Sequence, residues 1–166
     1  MIKYLIIIIS IILDGILSNF LPVIDLSYFT PLLTLTSIFI VYPFYTKDEY
    51  KYYITSFIVG IIYDLLYTNL LFFNGIIFVL IAFLVRIIYK NLNISFLKNI
   101  LYIILIIIVY ESSTALIFMI FKLVPITLNK VVYKITHSLL LNIIYGELIY
   151  LILKIIPKKY KKIKIN

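Results

Sequence analysis

Cysteine is absent from the 166 residues, so disulfides, thiolate metal sites and cysteine nucleophiles are excluded outright. Tryptophan is also absent, and the lone histidine, His137, cannot by itself furnish a histidine metal site. Alanine occurs only at Ala82 and Ala115. Charge is sparse: 13% of residues are charged, against about 25% in soluble domains. The remainder is apolar, with 64% hydrophobic residues and a mean hydropathy of +1.17. Such a chain is an integral membrane protein.

A bilayer core of about 30 Å needs about 20 apolar residues at helical rise. Polar punctuation divides the chain into six such segments, at residues 4–20, 28–45, 52–70, 72–89, 96–121 and 131–156. The third and fourth together run from Tyr52 to Tyr89, about 57 Å if straight, and must fold back. The stretch "TNLLFFNG" offers Asn69, Asn74 and Gly75 as turn-formers. The expectation is an all-α protein with one six-helix transmembrane domain over residues 1–156 and a basic tail over 157–166.

Lysine and arginine concentrate in cytoplasmic loops. With six spans both termini share a side, and the tail "KIIPKKYKKIKIN" puts that side in the cytoplasm. Twelve of the 15 basic residues then lie inside, and only Lys122, Lys130 and Lys134 lie outside. The first segment carries Lys3 but also Asp14, and "DGILSNFLP" has no small-x-small site, so it reads as a retained helix rather than a cleaved leader. The net charge of +8 calls for no nucleic acid. Lys158, Lys159, Lys161, Lys162 and Lys164 would lie on the anionic leaflet, each contributing about 1 kcal/mol near that surface.

Asp25, Asp48 and Glu49 fall in loops, leaving Asp14, Asp64, Glu111 and Glu147 within spans. An Asp at a helix centre costs about 2.5–3.5 kcal/mol on insertion scales, so these acids need partners or a wet cavity. Asp64 shares an i, i+4 stripe with Gly60 and Thr68, and Asp14 shares one with Ser18. On the last span Ser138, Asn142, Gly146 and Tyr150 recur at every fourth residue, with Glu147 beside them. Small and polar stripes of this kind are how spans associate in lipid. The simpler reading is of hydrogen-bonded seams between helices. A proton or cation relay through Asp14, Asp64 and Glu111 is the functional alternative, but it lacks basic partners at similar depth: Arg86 and Lys154 lie toward the inner interface and His137 toward the outer. Enzyme chemistry is excluded by the same shortage. Ser112, Ser113 and Thr114 adjoin Glu111 with no base at that depth, and no H-E-x-x-H, P-loop or G-x-S-x-G pattern occurs. No cofactor is called for.

"GIIYDLLYTNLLFFNGIIFVLIA", residues 60–82, resembles the signature region of the MreD family of rod shape-determining proteins. Gly60, Asp64 and Gly75 occupy its glycine, aspartate and second-glycine positions, and the length, six apolar spans and basic tail fit the family along the whole chain. The resemblance implies a non-catalytic inner-membrane subunit of the bacterial cell-elongation machinery, working with MreC, with the actin-like MreB, and with the glycosyltransferase RodA and its transpeptidase. Members are also similar in fold to substrate-binding subunits of energy-coupling vitamin transporters. That rival usually shows alanine-x-x-x-alanine on its first span, and "YLIIIISIILDGILSN" has no alanine.

Overall fold

The computed structural model describes residues 2–23, 30–68, 70–91, 95–122 and 127–155. They form six α-helices: α1 Ile2–Val23, α2 Leu33–Val41 continued by a 3-10 turn Tyr42–Tyr45, α3 Glu49–Tyr67, α4 Phe73–Asn91, α5 Phe96–Ile120 and α6 Leu128–Ile155. No strand occurs among the described residues. Among the described residues four stretches, Ile2–Leu21, Phe73–Lys90, Phe96–Ile120 and Leu128–Ile155, are long and apolar enough to cross a membrane. Lys158, Lys159, Lys161, Lys162, Lys164, Asp25 and Asn69 lie outside the described residues.

Chain neighbours pair as antiparallel hairpins, α1 with α2, α3 with α4 and α5 with α6, with α3 and α4 most extensively packed. Helix α2 is the centre. It touches α1, α4, α5 and α6, and all nine of its residues are buried. Six of those nine are apolar, and the hydroxyls of Thr36 and Ser37 turn back onto nearby backbone carbonyls, so the helix can lie in a core rather than at a surface. Helix α4 lays Ile77, Phe78, Ile81, Ala82 and Val85 against that core, each at most 1% exposed. The outward faces carry large apolar side chains such as Leu5, Ile12, Leu101 and Leu148, an arrangement water would not tolerate and lipid requires.

The second apolar segment is not one continuous helix. With its 3-10 turn, α2 spans roughly 20 Å, short of a core of about 30 Å, and Thr30–Leu32 precede it without helical structure. Non-helical backbone at such depth survives only where protein satisfies it. Here Thr30 donates its N–H to the His137 carbonyl at 3.3 Å, and the Asn142 amide returns a bond to the Thr30 carbonyl at 3.3 Å.

At α3 the start is conventional: the Asp48 side chain accepts the Lys51 N–H at 3.2 Å as an N-cap. The return into α4 is not. Asn74 and Gly75, turn-formers by composition, sit inside the first turn of α4, and the left-handed residue of the connection is Phe72, at φ 66°. An aromatic residue is unfavourable there. Its ring lies roughly parallel to that of Phe57 at 6.5 Å between centroids, packing that holds the turn in place of a glycine.

One end of the bundle gathers the basic residues of α1, α3 and α4. Glu49 pairs with Arg86 at 2.6 Å and Lys90 at 2.9 Å, and Asp48 pairs with Lys51 at 2.7 Å. The Lys90 ammonium beside Glu49, reinforced by Arg86, holds its carboxyl below the ordinary glutamate range, and Lys51 does the same for Asp48. Lys3 lies over the Tyr45 ring at 3.5 Å. Tyr42, Tyr45, Tyr52 and Tyr89 form a cluster of tilted and edge-on rings just beneath.

Candidate functional site

The first four N–H groups of any helix lack intrahelical partners. In this protein two buried acids supply them from other helices. Asp14, on α1 and 1% exposed, accepts the Leu33 N–H at 2.7 Å on one carboxylate oxygen and the Thr34 N–H at 2.8 Å on the other. Asn142, on α6 and fully buried, accepts the Leu32 N–H at 3.0 Å on its Oδ1, beside the Thr36 hydroxyl, whose shorter bond at 3.2 Å goes to the Leu32 carbonyl. Three consecutive donors at the start of α2 are thus satisfied by α1 and α6 together. The helix start is electropositive, which favours a carboxylate there.

Asp64 repeats the device at α4. From α3 it accepts the Asn74 N–H at 2.8 Å, the Asn74 side-chain amide at 2.7 Å, the Gly75 N–H at 3.4 Å and the Thr68 hydroxyl at 2.8 Å. Tyr110 on α5 donates to the Asn74 Oδ1 at 2.9 Å, so α3, α4 and α5 meet in one polar network. Gly60 lies one turn before Asp64 against the same helix start. A Cβ built on Gly60 would fall 2.5 Å from the Asn74 carbonyl oxygen and 2.6 Å from the Gly75 backbone.

On α6, Ser138 and Asn142 are fully buried and Gly146 and Glu147 are buried, while Tyr150 is half-buried. This stripe meets elements of the same chain. Asn142 holds α2, and the Gly146 face meets Ile103 of α5 and Thr36 of α2. Glu147 accepts the Asn99 side-chain amide at 2.7 Å from α5.

The i, i+4 stripe from Asp14 does not carry Ser18 into the interior. Ser18, four residues after Asp14, is exposed, and the partners of Asp14 come from α2. The physical reason is that backbone donors at a helix start outcompete a hydroxyl on the same helix for a buried carboxylate. Glu111 is 7% exposed on α5, within electrostatic reach of Tyr110 together with Asp64 and Asp14, and its backbone carbonyl accepts the Thr114 hydroxyl at 2.9 Å. Asn74, Asn99, Tyr110 and the Ser10–Tyr145 pair at 2.5 Å were not singled out by spacing. For Asn74 a usable signal existed, because Asn beside a helix start reads as a cap. Since Ser10 already donates its proton to the Ile6 carbonyl at 2.7 Å, Tyr145 is the donor in that pair.

The two glycines differ in what surrounds them. At Gly146 a Cβ meets first the tip of Ile103, a flexible end that can give, and less closely the methyl of Thr36. At Gly60 it meets backbone, which cannot. Gly60→Ala is therefore expected to cost about 2–3 kcal/mol through forced separation of α3 from α4, and Gly146→Ala less than about 1 kcal/mol. Unfolding of the purified variants in mixed micelles checks this, and equal losses would contradict it.

An all-helical bundle with four helices long and apolar enough to cross a membrane among the described residues, two of whose interior acids cap helices of the same chain, is a multi-pass membrane protein. The family model for the rod shape-determining protein MreD matches residues 1–160 of the 166. The chain belongs to that family, a structural, shape-determining family of the bacterial inner membrane. No curated protein and no solved structure matches it.

Proposed function

We propose that the chain is a six-span, non-catalytic scaffold of the cell-elongation machinery, with residues 1–156 as one transmembrane domain and both termini in the cytoplasm. In this reading it holds MreC, and RodA with its transpeptidase, within the membrane and presents its basic side to MreB. The observation that carries it is the use made of the buried acids. The carboxylates of Asp14 and Asp64 accept from backbone donors of the chain's own helices, which suits a body of fixed shape. Sidedness is supported by Lys3, Lys51, Arg86 and Lys90, which gather at one end of the bundle, the side on which a cytoplasmic tail would emerge.

Gentle-detergent purification followed by mass spectrometry tests the assembly. Recovery of MreC and RodA is expected, and recovery of an ATPase pair with a coupling subunit would replace the scaffold by a transporter. Replacing Lys158, Lys159, Lys161 and Lys162 by Gln is expected to leave insertion intact, because the inner loops keep their basic residues, while weakening attachment at the cytoplasmic face in a salt-sensitive way. Fluorescent fusions of unchanged density and motion would remove the tail from the proposal.

A further inference from the structure

A groove of about 380 Å³ runs between α1 and α3. Its walls are apolar: Ile8 and Ile11 from α1, and Ile54, Ile58 and Ile62 from α3. Ile8 and Ile58 are half exposed, at 56% and 50%, so the groove is open to the membrane. From Lys51 to Ile62 it follows α3 for about 16 Å, close to one leaflet of a core of about 30 Å.

The mouth differs in chemistry from the walls. Tyr4 and Lys51 line it. The Lys51 ammonium is two-thirds exposed beside Asp48, and Lys3 lies 5.1 Å from the Tyr4 ring. Lys47 is exposed nearby in the chain, while Glu49 is taken up by Arg86 and Lys90. Lys3 and Lys51 together against Asp48, which pairs with Lys51 at 2.7 Å, leave the mouth with a net positive charge. Apolar walls about one leaflet long beneath a positively charged mouth match one hydrocarbon chain carrying an anionic head.

We infer that this groove seats an acyl chain of an anionic phospholipid, whose phosphate rests against Lys51 and Lys3. The apolar walls supply affinity by removing the chain from competition with bulk lipid, and the lysines supply headgroup preference. Lipid binding of this kind is independent of the partners proposed above, since it needs only that the Lys51 end of the bundle be the membrane surface.

Native mass spectrometry of the purified full chain, titrated with phosphatidylglycerol or phosphatidylcholine of the same chain length, tests it. The unaltered protein is expected to retain one phosphatidylglycerol about fivefold more tightly than phosphatidylcholine, since one lysine near the surface contributes about 1 kcal/mol. Ile58→Trp fills the groove and is expected to abolish retention of both lipids. The double variant Lys3→Gln, Lys51→Gln leaves the walls untouched and is expected to keep one lipid while losing the preference. Equal retention of the two lipids by the unaltered protein, undiminished retention by Ile58→Trp, a preference surviving the lysine replacements, or a copurifying membrane protein whose binding Ile58→Trp abolishes while lipid retention persists would each overturn it.

Discussion

Asp64→Leu is expected to be the most damaging single substitution in the protein, costing on the order of 4 kcal/mol of stability. Four donors converge on that carboxylate: the Asn74 N–H, the Asn74 amide, the Gly75 N–H and the Thr68 hydroxyl. Leucine fills similar space and accepts none of them. A donor stranded in a bundle without water forfeits its bond outright, and the first turn of α4 loses its anchor to α3. Asp64→Asn keeps one acceptor oxygen, but its amide would confront N–H groups that have nothing to offer it. It is therefore expected to fall between wild type and Leu, at roughly half the loss. Rod-shape complementation in a strain depleted of its own copy, together with unfolding in mixed micelles, gives the ranking. Wild-type behaviour of the Leu variant would show that the start of α4 does not depend on Asp64.

The start of α2 is expected to behave as one unit with two supports. Asp14 holds Leu33 and Thr34, Asn142 holds Leu32, and the three N–H groups are consecutive. Asp14→Ala and Asn142→Ala are each expected to cost about 2–3 kcal/mol, the usual loss of a cap raised by the absence of water. Once one support is gone, the first turn of α2 frays and the other has less to hold. The double variant should then lose less than the two singles added, with a coupling of about 1 kcal/mol. Hydrogen exchange gives an independent readout. The Leu33 and Thr34 amides should lose protection in Asp14→Ala while the amides of α5 keep theirs. Strict additivity, or unchanged exchange at α2, would mean that α2 is held by packing alone.

The first turn of α4 shows how far spacing reaches. Gly60, Asp64 and Thr68 lie on one side of α3 because i, i+4 geometry is local. Thr68, however, stands just past the end of the helix, in extended conformation, and bonds Asp64 from there. Asn74 has the composition of a turn residue, yet it serves as a double donor inside α4, because a buried carboxylate ten residues earlier draws both its N–H and its amide. On α6 the fours at Ser138, Asn142 and Gly146 were plain to read, whereas their partners, Thr30, Leu32, Thr36 and Ile103, belong to segments with no sequence relation to them.

By itself the sequence determined the solvent, the all-helical class, the shortage of catalytic groups and the family. Each of these follows from composition, from apolar run length or from a short local pattern, and none needs to know which helix lies beside which. Tertiary structure alone decided that the second apolar segment begins its helix only at Leu33, that Asp14 and Asp64 serve helices other than their own, and that Gly60 rather than Gly146 abuts backbone. The reason is that a carboxylate's demand for donors is visible in any sequence, while the supply comes from helix starts brought near by packing, at separations of 10 to 20 residues that no helical period encodes.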